Sequence, residues 1–195
     1  MRDSNNNRSH TSNVSFTYST EKIVQAVAVI LQTRKDRRMN YFRLLKLLYI
    51  ADRESLKEAG RPIAGSRPVA MRLGMLDGYV YDLIKKPELD ATWSKYIEKD
   101  GWNIVLKTLP GDLELSDREV EKLRSVAKRY RNLKNNDVAL KTHFPEWHKR
   151  FPGQNKKVVD GSLEDMIDGV ERTADKQAIM DEARQKAIFD KMFGR

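Results

Sequence analysis

The chain contains no cysteine, so no disulfide can hold it, no thiol can act as a nucleophile, and thiolate-bound zinc or iron–sulfur sites are excluded. It also lacks a long apolar run: no stretch approaches the roughly 18 residues of a membrane-spanning helix. Around Arg2 and Asp3 it is rich in Asn and Ser, where a secretory signal needs an apolar segment. The expectation is a soluble, unprocessed cytoplasmic protein with no membrane partner, and Asn13-Val14-Ser15 is then a glycosylation sequon by composition only. Catalytic signatures are missing as well. There is no GxSxG, no P-loop and no GxGxxG, so neither an enzyme nor a cofactor is expected. A hydrolase whose residues meet only in space is the enzymatic alternative.

What is present is charge. Thirty-seven Lys and Arg against 28 Asp and Glu give a net charge of +9, and its distribution is uneven. Residues 1–20 carry +1 and residues 156–195 carry −1, so the remaining +9 belongs to the centre of the chain. The basic clusters there are Arg34, Lys35, Arg37 and Arg38, then Lys128, Arg129, Arg131 and Lys134, then Lys149, Arg150, Lys156 and Lys157, with Tyr41, Tyr130 and Trp147 nearby. Such a pattern suits nucleic-acid binding. Interspersed Glu and Asp make an ordinary solvated face the preferred reading, and no helix-turn-helix or other reading head accompanies the clusters.

At 195 residues the chain fits one domain with a single core, and its pattern is mainly α: a compact helical bundle with a short β-hairpin or small β element. Residues 1–19 read as a flexible polar arm, 20–155 as the helical domain and 156–195 as a helical extension. Thr20 is placed to cap a helix whose apolar residues, Ile23 to Leu31, cover almost its whole circumference, as in a central core helix. A second helix starts near Asn40, with Leu44, Leu45, Leu48 and Ala51 at helical spacing, and stops at Gly60-Arg61-Pro62. Val69–Leu73 suggests a short strand. Asp77 can cap a short helix through Tyr79, Val80, Leu83 and Ile84. Asp100-Gly101 marks a hairpin turn, and Ser116-Asp117-Arg118-Glu119 is a capping box opening a helix through Val120, Leu123, Val126, Ala127, Tyr130 and Leu133. A short helical piece is expected between Asn135 and Pro152. Ser162 starts a terminal helix with Leu163, Met166, Ile167 and Val170, continuing or restarting through Ala183, Ala187, Ile188, Met192 and Phe193.

Phe42–Ala51, Gly60-Arg61-Pro62-Ile63, Val69-Ala70-Met71-Arg72-Leu73-Gly74 and Val80-Tyr81-Asp82-Leu83-Ile84, followed by Leu113–Asp117, Thr142-His143 and Trp147, together resemble the Panacea domain, the SocA-like antitoxin domain. The order and spacing of these segments carry the resemblance, which runs from about Thr20 to Phe151 and extends to the Leu163–Ile167 helix. It implies a compact helical domain that neutralises a toxin protein encoded next door by direct binding, with delivery of the toxin to an AAA+ protease as a compatible route. One departure stands out: the family usually has Gly-Pro-Val where this chain has Gly74-Met75-Leu76.

For partner binding, Arg61, Arg67, Arg72 and Tyr79 supply the residue types enriched at protein hot spots, and Trp147 is added to them. Tyr81 reads equally as core. Ile188, Met192 and Phe193 read as an amphipathic helix end offered to a partner's groove, with core closure as the other reading. A nucleic-acid-binding regulator using the basic centre is the alternative function. His143, Glu146 and His148 raise a metal site, but the two histidines are five apart across Pro145 and do not share a helix face. Packing or capping is the reading preferred for His143. The Asp112 and Glu114 pair reads as a solvated turn.

Overall fold

The computed structural model describes residues 14–65, 67–111, 113–151 and 158–193. The expected arm lies outside them up to residue 13, as do Asp112, Lys156 and Lys157. The described residues are mainly helical, with two small antiparallel sheets of three strands each.

Helix α1 (Thr20–Leu31) is the central helix, buried continuously from Ile23 to Leu31. Its cap is Ser19 rather than Thr20: the Ser19 hydroxyl accepts from Lys22 N, which leaves the Thr20 hydroxyl to donate to Asp90 Oδ2 at 2.7 Å. After a short strand, β1 (Arg38–Asn40), comes α2 (Tyr41–Ala59), whose N-cap Asn40 accepts from Phe42 N and Arg43 N. Gly60 ends it at φ +75, a left-handed conformation that costs glycine little.

Two strands, β2 (Pro68–Met71) and β3 (Gly74–Asp77), then form a hairpin. Asp77 caps α3 (Gly78–Lys85) by accepting from Val80 N at 2.8 Å. A turn leads to α4 (Ala91–Tyr96) and to the hairpin of β4 (Ile97–Asp100) and β5 (Asn103–Leu106). The capping box is formed by both its bonds and opens α5 (Asp117–Arg129). This helix stops four residues short of Leu133 because Arg43 takes its exit: the guanidinium donates to the carbonyls of Tyr130 and Leu133. The short helices α6 (Asn135–Leu140) and α7 (Pro145–Arg150) precede β6 (Val158–Asp160), α8 (Leu163–Gly169) and α9 (Lys176–Phe193).

Strand order is β1-β5-β4 in one sheet and β3-β2-β6 in the other. The sequence points to a short strand at Val69–Leu73 and to a hairpin about Asp100-Gly101; β1, β3 and β6 are additions. Strand β3 is buried at all four residues, so it shows none of the polar alternation that announces a half-exposed strand.

Among the described residues two hydrophobic clusters stand in place of one core, and the β2–β3 hairpin divides them. Val69 and Leu76 point into the larger, built on α1, α2 and α5; their neighbours Ala70 and Met75 point into the smaller, with Tyr49, Leu56, Leu163, Met166, Ile167, Val170, Ile179, Met180 and Ala183. Period-two alternation along two paired strands produces that division. Residues 14–19, read from sequence as part of the loose arm, are packed: Phe16 is 2% exposed in the smaller cluster, and the Tyr18 hydroxyl donates to Pro62 O at 2.9 Å. Among the described residues no helix is long and apolar enough to cross a membrane.

Candidate partner-binding surface

Lysine 46 lies in the middle of α2 among Leu44, Leu45, Leu47 and Leu48, and it is only 2% exposed. Its ammonium reaches under the β2–β3 turn and donates to the carbonyl oxygens of Gly74 at 2.8 Å and Met75 at 2.7 Å. Burial lowers its pKa to about 7, since a charged amine loses its hydration there.

From the other side the turn is held by the end of α6. Met75 N donates to Thr142 O at 3.2 Å. Gly74 has φ +91, and a Cβ there would lie 2.1 Å from Thr142 Oγ1 and 2.9 Å from Ala139 O, so glycine is required both for conformation and for space. The departure at Met75 has a use as well. A proline there has no N–H to give Thr142, whereas Met75 gives one and buries its side chain completely.

Arg72 and Leu73 form the exposed turn above this support. Beside them Trp147 is half-buried, and its indole N–H donates to the Met71 carbonyl at 2.8 Å. His143 lies flat on Trp147 at 3.8 Å, and Phe151 stacks at 5.4 Å. Burial, the nearby Lys46 and His148 keep the His143 imidazole below its ordinary pKa. Arg72, Leu73, His143 and Trp147 thus make one surface on a rigid base, with Leu140 exposed at the end of the neighbouring α6.

The remaining arginines lie elsewhere. Arg67, at the base of the hairpin, pairs with Asp82 at 3.0 Å and Asp160 at 3.3 Å. Tyr79 is one turn from Asp82 on α3 and shares a hydrogen bond with the Thr20 hydroxyl. Arg61 pairs with Glu182 of α9 at 3.3 Å. Ile188, Met192 and Phe193 are exposed at the end of α9 together with Phe189, whose ring lies 4.5 Å from that of Phe193. The same helix turns Lys186 and Asp190 inward, onto Tyr18 and Thr17. Tyr81 is half-buried against the larger cluster.

His143, Glu146 and His148 do not converge. Glu146 is turned inward, where its Oε1 accepts from the Tyr49 hydroxyl at 3.0 Å and from Arg53 Nε at 2.9 Å. The basic clusters are partly neutralised: Arg38 pairs with Asp100, Arg129 with Glu54, and Lys149 and Arg150 with Asp165. Sequence reasoning missed Lys46. A lysine inside LLKLLYI does stand on the buried arc of a helical wheel, and that was the available signal. It also passed over Asp52, a buried α2 carboxylate that accepts from Ile63 N and Ala64 N and holds the 61–65 loop to the helix.

Compared with known proteins, residues 44–148 match the family described as Antitoxin SocA-like, Panacea domain. That span includes Lys46, the β2–β3 turn, Thr142 and Trp147. No curated protein and no solved structure matches the chain.

Proposed function

The chain belongs to the SocA-like, Panacea-domain antitoxin family, and from that premise we propose that it is the antitoxin of a toxin–antitoxin pair, neutralising a toxin protein in the cytoplasm by direct binding. The observation that carries the reading is the family match over 44–148. The role is one of binding rather than catalysis.

The surface favoured for the toxin is the β2–β3 turn with Arg72, Leu73, His143 and Trp147. Two features support it. It falls within the family-matched span, and it joins an arginine and a tryptophan, which dominate binding energy at protein interfaces, to a base fixed by Lys46 and Thr142. Arg61 and Arg67 are weaker anchors because both already hold carboxylates of their own chain. The apolar end of α9 lies outside the matched span and is the candidate second contact.

The test is co-expression with the product of the neighbouring gene, scored for growth rescue and for a stoichiometric complex. Rescue together with a complex is the expected result. R72E combined with L73S should abolish both while leaving the circular dichroism spectrum unchanged; rescue and complex surviving that change would exclude the turn. Faster toxin loss in the presence of an AAA+ protease would identify delivery for degradation as the route. Rescue without a complex would overturn direct binding.

A further inference from the structure

Trp102 stands at the tip of the β4–β5 hairpin, and its backbone carbonyl accepts from Tyr41 N at 3.0 Å, which fixes the tip to the first turn of α2. Its indole is nearly parallel to the Tyr41 ring, at 5.7 Å and 8°, and lies 6.0 Å and 24° from that of Phe42. Tyr41 is buried beneath it, yet Trp102 is 65% exposed. It is the top of an aromatic column, with one face on Tyr41 and Phe42 and the other open to solvent.

Two lysines flank this column. Lys85 of α3 places its Nζ 3.3 Å from the Tyr41 hydroxyl and 5.3 Å from the Tyr81 ring centre. Lys99 of β4 is 5.8 Å from the Tyr41 ring centre. Among the described residues neither has a carboxylate within ion-pair distance, and the same holds for Arg34, Lys35 and Arg37 in the turn before β1. Asp100 pairs with Arg38, and Asp36 accepts from Arg38 N. Glu98 and Asp100 alternate with Lys99 along β4 and so face the other side of the sheet. The three turn cations precede β1, at the end of that strand away from Asn40.

An open, pre-oriented ring face beside unpaired ammonium groups is what an unstacked base with its flanking phosphates requires. We infer that Trp102, backed by the buried Tyr41, forms with Lys85 and Lys99 a binding surface for single-stranded nucleic acid, with a base stacked on the open face of Trp102 and phosphates against the two lysines. A stacked base is held by its face, which every base offers, so binding tolerates any sequence. The surface shares no residue with the β2–β3 turn, and the inference does not depend on the antitoxin reading.

Fluorescence anisotropy of the full chain with labelled deoxythymidine and uridine oligonucleotides of about 16 nucleotides tests it. Binding is expected at about 50 mM salt and should weaken as salt rises. W102A should lower affinity by roughly 5- to 150-fold, the range for loss of a stacking aromatic, and W102F should restore most of it. K85A with K99A should reduce the salt slope by about 1.4, the value for two phosphates on a single strand. R124E with K128E, on α5, should leave affinity within about twofold if local stacking rather than net charge governs binding. Absence of binding at low salt, or equal binding by W102A, would overturn the inference. So would loss of toxin complex in W102A with oligonucleotide binding intact, since the ring would then be a protein contact.

Discussion

The ammonium of Lys46 and the carbonyl of Gly74, 28 positions apart, meet at 2.8 Å in the interior. This bond fastens the β2–β3 turn to α2, and it sets Arg72 and Leu73 at a fixed height above the surface. The same lysine also donates to the Met75 carbonyl, so removing it takes a buried donor from two adjacent carbonyls.

K46M keeps the length and apolar volume of the side chain and loses both bonds. We expect a destabilisation of about 1.5 to 3 kcal/mol, the range for losing hydrogen bonds that involve a charged group. Urea unfolding followed by circular dichroism measures it, and an unchanged midpoint would mean that the Lys46 clamp contributes nothing net.

Lys46 and Asp52, both buried on α2, set opposite limbs of a pH profile. Burial and the nearby Asp77 raise Asp52 from 3.8 to about 7, so the folded state holds its proton more tightly. The stability this gives is complete below the ordinary carboxylate range and is lost as pH rises towards 7. Lys46 is lowered from 10.5 to about 7; the unfolded state binds its proton more tightly, and stability rises with pH between those values. D52N, which still offers an oxygen to Ile63 N and Ala64 N, should flatten the acid limb, and K46M the alkaline limb, in denaturation midpoints taken from pH 4 to 10.

At Gly74 both conformation and space are restrictive. G74A places a methyl group against Thr142 Oγ1 and the Ala139 carbonyl at φ +91, and should cost more than the roughly 1 kcal/mol of an unstrained glycine change. T142A in the same background should recover only part of the loss, because the backbone carbonyl remains. A thermal double-mutant cycle separates the two contributions.

Two ion pairs should differ sharply. Glu146 is buried and joins Tyr49 and Arg53, and Arg53 also donates to the Gly169 carbonyl, so E146A should cost about 3 to 5 kcal/mol. Arg67 pairs in water with Asp82 and Asp160, and R67A should cost about 1 kcal/mol or less. Similar losses for both would show that burial does not govern the strength of these pairs.

For the toxin contact, R72E alone should weaken a measured complex by about 2 kcal/mol, roughly 30-fold, if Arg72 is a hot spot. R61E should have a smaller effect, since Arg61 is already engaged with Glu182. Isothermal titration of the purified pair reports both.

Much of the architecture is local and therefore legible in the sequence. The capping box at Ser116, Asn40 before α2, Gly60 after it and Asp77 before α3 each act within four residues of themselves, and their structure follows from their own chemistry. The all-round apolar character of α1 likewise required a central position. Ser19 displaced Thr20 as cap because two hydroxyls compete at one helix start, and Asp90, 70 residues away, engages the second. Strands β1, β3 and β6 were not legible: three or four residues carry too little periodicity, and a strand buried on both faces carries none.

The arginines of the central segment show where sequence ends. Arg61, Arg67 and Arg72 fall within 12 residues, which suggests a single patch. Folding takes Arg61 to α9, keeps Arg67 at the hairpin base with two carboxylates, and carries Arg72 to the turn beside Trp147. By itself the sequence determined α1, α2, α3 and α5 with all but one of their caps, the absence of disulfides and the basic centre, since those depend on neighbours along the chain and on composition. Only the tertiary structure decided which cations stay unpaired, which lysine goes inside and which aromatic remains open, because each of those outcomes depends on residues that meet across tens of positions when the chain packs.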